Sequence, residues 1–598
     1  MSKDQLRSSQ VVTTFGPGAM VDLPDASVIV AGLDHWHYDR TQIPMVEEPR
    51  LVEKLKRILA VQTLTLRTPP PASEDQRSFQ PNIVGWRFPE WFIGQKTEAT
   101  PRGFRRRRLL HLNSLDGGEY RDADRKKHKV VPVRFVRACR KGHVGDIEWK
   151  AFVHGEREGC PRDLWMEERG TSGDLDEIWV TCECGAERAM SQAARLELRA
   201  LGSCNGSRPW LGPGTKEGCG EPNRLLIRSA SNAYFPQLMS VISIPDTRSP
   251  VDDVVRVLWD DFLSDIESLE DLARVRKKPT VAMKLQGLTD AVVIASIGRV
   301  RSGGTSQDRP VKEVEFEALS EAKEELGSDV PEGNFHARTL PASEWNAPWT
   351  KVIERVVLVH RLREVVAQVG FTRFEAAGPD IQGELELDVK RAPLATDTTW
   401  LPAVENRGEG VFLHLRKDLI EAWLKKPEVQ ERGKQLAAGF ELWKAEHEGT
   451  PRQFPGVPYF MLHSLSHVLL TAISLECGYP ASSLRERIYA APGRYGILIY
   501  TGSSDAEGTL GGLVLAGRDI RRHLLRALEM GALCSNDPVC AFHIPAPHDH
   551  QPLLGSACHG CLLISETSCE QRNDFLDRAL IVPTIEALGC ELFDRLGV

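Results

Sequence analysis

The stretch SACHGCLLISETSC, Ser556 to Cys569, gathers three of the chain's 13 cysteines into one short segment. Thiols so placed can form a nucleophile, a redox pair, a disulfide or a metal shell. The C-x-x-C turn of Cys558 and Cys561 lets two sulfurs grip one ion, and Cys569 with Cys534 or Cys540 can complete a tetrahedral zinc site. Five candidates compete for four places. A redox C-x-x-C is the rival, but such a pair needs no further cysteines nearby. A closed shell of sulfurs leaves no position for water or substrate, so a zinc held here is structural.

A second group lies in the middle of the chain. TCECG carries Cys182 and Cys184 in a tight turn, and Cys204 and Cys219 follow in Gly/Pro-rich loops. A close pair plus two more thiolates predicts one zinc site. Upstream, CRKGHVGDIEWKAFVHGEREGC offers Cys139, His143, His154 and Cys160, a candidate second site of two sulfurs and two nitrogens. The competing reading makes the histidines hydrogen-bonded structural residues and Cys139 a small core hydrophobe. Cys477 and Cys590 sit in apolar helical surroundings and read as core.

Other reactive patterns are weaker. His463 and His467 have the i, i+4 spacing of a metalloprotease helix, but H-S-L-S-H lacks the glutamate that would act as base, so both are expected to be structural. Asp505 and Glu507 follow a strand and precede GTLGG, a context better explained as a turn. No G-x-x-x-x-G-K-[ST] is present, the GPG at Gly16 to Gly18 reads as a turn, and neither a nucleophile elbow nor a zinc-deaminase pattern occurs. The expectation is a protein that is not itself an enzyme.

The elements that must position these residues are those of a soluble globular protein, 598 residues long with 41% hydrophobic and 26% charged residues. MSKDQLRSSQ has no apolar segment of a secretory signal, and no apolar run reaches about 18 residues. A cytoplasmic location is expected, where thiols stay reduced and disulfides are disfavoured. The net charge of −8 is uneven: Pro101 to Lys141 holds fourteen Lys/Arg against four acids, giving +10 and leaving −18 elsewhere. Arg105, Arg106, Arg107, Arg108, Arg125, Lys126, Lys127 and Lys129 form a candidate phosphate-binding surface. A solvated face or a partner-binding arm is the alternative.

The expected fold class is α+β and multidomain, with a zinc-stabilised central module and a mixed α/β C-terminal domain. The divisions are an irregular α+β region to residue 135, a cysteine-rich module over 136–245, a helical region over 246–345 and the C-terminal domain over 346–598. Ser27 to Leu33 and Arg494 to Gly502 read as strands. Asp252 to Val275, Glu313 to Leu326, Lys351 to Phe371, Tyr459 to Cys477 and Arg518 to Met530 read as helices. RTPPPASEDQ, Arg67 to Gln76, is low-complexity.

Several blocks together carry a resemblance: RSSQVVTTFGPGAMVDLPDASVIVAGLDHW, RSASNAYFPQLMSVISIP, GFTRF, WLPAVENRGEGVFL, LHSLSHVLLTAISLECGYPASSLRERIY and ACHGCLLISETSCEQRNDFLDRAL. Running from near one end of the chain to the other, they resemble the DrmB family, the B subunits of the DISARM antiphage defence system. The last two also resemble a cysteine-containing domain of certain bacterial helicases. The resemblance implies partnership with DrmA, a superfamily 2 helicase-like ATPase, and binding of invading phage DNA. In the helicase relatives the block holds a four-cysteine zinc site, so the resemblance implies Cys558, Cys561 and Cys569 as ligands. The first ligand of those relatives falls at Gly555 and Ser556, leaving Cys534 and Cys540 as its replacements. A DNA-processing hydrolase and a protein–protein scaffold without DNA contact are the alternatives.

Overall fold

A computed structural model describes residues 6–593 except 24–25, 40–42, 72–81, 123, 156–158, 246–249, 267, 302–308, 327–329, 377, 386–390, 448–449, 451, 503–510, 548, 550 and 586. Asp505, Glu507 and part of the low-complexity stretch lie outside the described residues. The fold is α+β and built around several sheets.

The largest sheet has a spine of five strands in the order Phe235–Ile242, Ile353–Thr372, Trp400–Leu415, Arg494–Thr501 and Leu484–Ala491, each antiparallel to its neighbours. The second of these overturns one expectation, because Lys351 to Phe371 is a strand and not a helix. Val356 and Leu358 enter the core on one face of the sheet, whereas Val357 and Val359 enter a different core on the other. A strand buried on both faces shows a continuous apolar run in place of alternation, which imitates a buried helix. Its many valines, stiff at χ1, favour the extended backbone. Gly370, which reads as a helix stop, is instead a close-approach position: a Cβ there would lie 3.0 Å from the Ala392 carbonyl oxygen.

Helix Val457–Cys477 packs on one face of this sheet beside Ile520–Gly531. It is long and apolar enough to cross a membrane, yet most of it is buried within this core. The opposite face receives helix Val311–Ser320, whose Glu315 is wholly buried and accepts from Arg487 Nε at 2.6 Å. Asp252 to Val275 is helical but broken: Pro250–Val257 passes through a π-helical turn at Trp259–Leu263 before Leu269–Val275, capped by Ser268 Oγ accepting from the Asp271 N–H at 3.2 Å. These segments share a small core of their own with Pro279–Lys284 and Asp290–Arg301.

A second, seven-stranded sheet runs Glu119–Arg121, Lys127–Pro132, Trp91–Ala99, Arg105–His111, Leu164–Glu168, Ile178–Cys182 and Glu187–Ala189. It draws strands from both sides of residue 135. Phe135–Ala138 pairs with Arg224–Ile227 in a separate small sheet. Buried Arg373 joins these parts, donating through Nε to Gly142 O at 3.0 Å, through Nη2 to Gly18 O at 2.8 Å and through Nη1 to Ala233 O.

Candidate metal centres

Three clusters collect twelve of the residues with metal-ligand chemistry, and their membership differs from the sequence grouping. The first contains Cys139, His143, Cys204 and Cys219; the second His154, Cys160, Cys182 and Cys184; the third Cys534, Cys540, Cys558 and Cys561. The two central groups thus exchange halves. The pairing of Phe135–Ala138 with Arg224–Ile227 folds the loop carrying Cys204 and Cys219 back onto the turn at Cys139. His154 ends helix Trp149–His154, which lies against the hairpin of Ile178–Cys182 and Glu187–Ala189.

In the first cluster His143 Nδ1 stands 3.3 Å from Cys139 Sγ and 3.5 Å from Cys204 Sγ. Its Nε2 donates to Glu217 Oε1 at 2.6 Å, fixing the ring with its other nitrogen toward the sulfurs. Gly206 donates its N–H to Cys204 Sγ at 3.3 Å. With φ +71 and a would-be Cβ only 1.7 Å from Glu217 O, that position accepts glycine alone. Burial pushes the Cys139 thiol up to about 12.

In the second cluster His154 Nδ1 donates to Lys150 O at 2.8 Å, which leaves Nε2 facing Cys184 Sγ at 3.2 Å. Cys160 and Cys182 sulfurs are 3.7 Å apart. The backbone N–H of Ala186, then the His154 ring, draw the Cys184 thiol down to about 6, while burial lifts Cys182 to about 11.

The third cluster is sulfur-only. Cys534–Cys558, Cys540–Cys561 and Cys558–Cys561 are separated by 3.4, 3.7 and 3.8 Å. Four sulfurs bound tetrahedrally at about 2.3 Å from zinc are about 3.8 Å apart, whereas a disulfide needs about 2.05 Å. These residues therefore fit a zinc ion and not a bridge, and every cysteine is free. Backbone N–H groups of Asn536, Gly560 and Cys558 point at the sulfurs of Cys534, Cys558 and Cys561. The Cys561 thiol, aided by Arg578 and opposed by burial, holds Cys540 down at about 6, and the same contact drives Cys561 far above the ordinary thiol range. Thiols that resist ionising together are neutralised by a bound dication.

The loop before Cys558 is pinned from behind. Asp577 Oδ1 accepts from the Ser556 N–H at 3.1 Å and Oδ2 from Arg432 Nε at 2.7 Å, in a fully buried ion pair. Arg578 is also buried, donating to Asp537 and to Gly531 O. Both Cys534 and Cys540 take part, so Cys569 is not in this shell as the resemblance implied. The chain after Leu562 turns into the core, where Ser568 O accepts from the Glu486 N–H at 3.2 Å, and Cys569 Sγ lies 3.1 Å from His463 Nε2. His463 and His467 are buried as expected, but Glu486, facing both, carries no local sequence signal. Cys590 is a core residue, donating to Ala579 O, and Cys477 is half-buried at a helix end.

The basic run is strand Arg105–His111, and most of its charge is answered internally. Arg106 stacks 4.1 Å over Trp165 and pairs with Glu98 at 3.5 Å; Arg107 meets Glu168 at 2.5 Å; Arg108 meets Asp163 and Tyr120. Lys127 pairs with Glu119 at 2.8 Å. Arg105, Arg125, Lys126 and Lys129 are exposed, and none forms an ion pair with a described residue.

The fold and its clusters define an α+β protein with a zinc-binding C-terminal region: residues 465–562 match the family described as the MrfA Zn-binding domain. That range contains the whole third cluster and stops short of Cys569. Residues 7–235, which hold the other two clusters and the basic run, match a domain of unknown function (DUF8724). The chain is 30% identical over 525 residues to the DISARM protein DrmB of Bacillus paralicheniformis, covering 85% of this chain and 90% of that protein. It belongs to the DrmB family of DISARM proteins.

Proposed function

We propose that this chain is a non-catalytic subunit of the DISARM defence complex, that it docks on the helicase-like ATPase DrmA in the cytoplasm, and that it supports binding of invading phage DNA. The observation that carries this reading is the relationship to a DISARM protein along most of both chains. Zinc acts structurally, fixing loops with too little apolar area to order themselves. In this role the chain's own residues hold and orient: Glu217 and Lys150 O set the imidazoles, and Asp577 holds the loop entering the C-x-x-C pair.

DNA contact is assigned to Arg105, Arg125, Lys126 and Lys129, exposed on strands and a turn of one sheet, with Trp91–Ala99 lying between the strands of Arg105 and Lys129. The test is duplex DNA binding by the chain, alone and with its ATPase partner, at several salt concentrations. Neutralising Arg125, Lys126 and Lys129 together should weaken binding across sequences and reduce the salt slope by up to about 2.7, at about 0.9 per lost phosphate contact. An unchanged slope overturns the assignment, and metal-dependent DNA cleavage by the isolated chain overturns the non-catalytic reading. The internal pairing of Arg106, Arg107 and Arg108 favours a second reading, a protein–protein scaffold, in which the triple variant loses the ATPase partner and not DNA.

A further inference from the structure

His463 and His467 stand one turn apart on helix Val457–Cys477, and strand Leu484–Ala491 brings Glu486 against both. His463 Nε2 is 2.8 Å from Glu486 Oε1 and 3.1 Å from Cys569 Sγ, and His467 Nε2 is 3.3 Å from the same oxygen. One ligand atom from each of the four residues lies within 4.8 Å of all the others. All four residues are buried.

The hydrogen bonds around this group fix what faces its centre. His463 Nδ1 lies 3.3 Å from Phe575 O and His467 Nδ1 2.8 Å from Leu562 O. A carbonyl only accepts, so both Nδ1 atoms carry protons and a neutral imidazole keeps its lone pair on Nε2. Two lone pairs then point at a carboxylate oxygen that is itself an acceptor. Protonating one ring satisfies its own contact but leaves the other lone pair facing the same oxygen, and protonating both would set two cations against one carboxylate in a buried site, a net charge that burial penalises heavily.

A divalent ion resolves the conflict without net charge, since two neutral imidazoles, one carboxylate and one thiolate balance it. Two further details fit. Glu486 Oε2 is buried without a hydrogen-bond partner, and Cys569 Sγ receives the backbone N–H groups of Gln571 at 3.4 Å and Asn573 at 3.1 Å. Those donors suit a thiolate.

We propose that His463, His467, Glu486 and Cys569 bind a zinc ion, separately from the three cysteine-rich clusters. Two nitrogens, one sulfur and one oxygen are a borderline donor set that zinc accepts in tetrahedral form. With all four positions filled by protein, this ion clamps the buried helix, strand Leu484–Ala491 and the segment after the C-x-x-C turn. The inference rests on these four side chains alone and does not depend on the DISARM role.

The test is an anomalous difference map at the zinc edge on crystals of the zinc-replete full chain. It should show a peak about 2.0–2.3 Å from both Nε2 atoms, Cys569 Sγ and a Glu486 oxygen. Absence of that peak, with the sulfur-only cluster loaded, overturns the proposal whether or not any variant folds. As a second readout, native mass measurement of His467→Gln/Cys569→Ser should give one zinc fewer than the parent, and an undiminished count likewise overturns it.

Discussion

Replacing Asp577 with asparagine separates the charge of the buried node behind the C-x-x-C loop from its shape. Asp577 and Arg432 are 0% and 4% exposed, so solvent does not screen their pairing. The carboxylate accepts from Arg432 Nε at 2.7 Å and from the N–H groups of Ser556 and Ala579, both at 3.1 Å. An asparagine amide must turn its NH₂ toward one of these donors, leaving that donor unmet and the guanidinium without its counter-charge. Removing one partner of a buried ion pair costs about 3–5 kcal/mol, and the preserved volume places Asp577→Asn near about 3 kcal/mol. That is about a 150-fold change in the folded-to-unfolded ratio. Because Ser556 precedes the metal-binding pair, zinc affinity should also fall about 10–100-fold. Urea unfolding with a chromophoric chelator present reads both quantities. Adding Arg432→Met should recover most of the lost stability, since the stranded charge is then gone. A loss below about 1 kcal/mol, or no recovery in the double variant, refutes the reasoning.

Cys561→Ser should lower the zinc count by one and destabilise the C-terminal core, and normal folding with full metal content would contradict a structural role for that shell. Gly206→Ala forces a Cβ into the Glu217 carbonyl in a left-handed conformation that alone costs about 1–2 kcal/mol, and should release metal from the Cys139 cluster while sparing the Cys534 cluster, as read by zinc counting. Asp146, whose buried Oδ1 has no hydrogen-bond partner, has its carboxyl pushed by burial from 3.8 to about 7. Its folded value exceeds its unfolded value, so its stabilising contribution is complete below about pH 4 and is lost as pH rises through about 7. Melting temperatures between pH 4 and 8 should decline less steeply with pH in Asp146→Asn than in the parent.

What the sequence revealed follows the range of the interactions involved. Cys558 with Cys561, and Cys182 with Cys184, are each brought together by one turn, so their spacing announced them. Which distant pair completes each shell depends on sheet register: the ladder from Phe135 to Ala138 against Arg224 to Ile227 carries Cys204 and Cys219 to Cys139, a relation absent from any local window. Helix Val457–Cys477 was legible because its apolar run ends at Gly478, which adopts a left-handed C-cap. Ile353–Thr372 was not, because burial on both faces erased the alternation that marks a strand. The basic run was visible as charge, but its acids and aromatic rings come from other strands, so its internal neutralisation was hidden.

Arg373 has an implication for the order in which the chain assembles. Its three carbonyl partners lie 355, 231 and 140 residues away in sequence. Burying the guanidinium before all three arrive would strand charged donors away from water. The residue therefore acts as a checkpoint: the N-terminal turn, the loop of the first metal cluster and the segment before the long sheet must converge before this part of the core can close. Contacts of such long range make that closure a late and slow event.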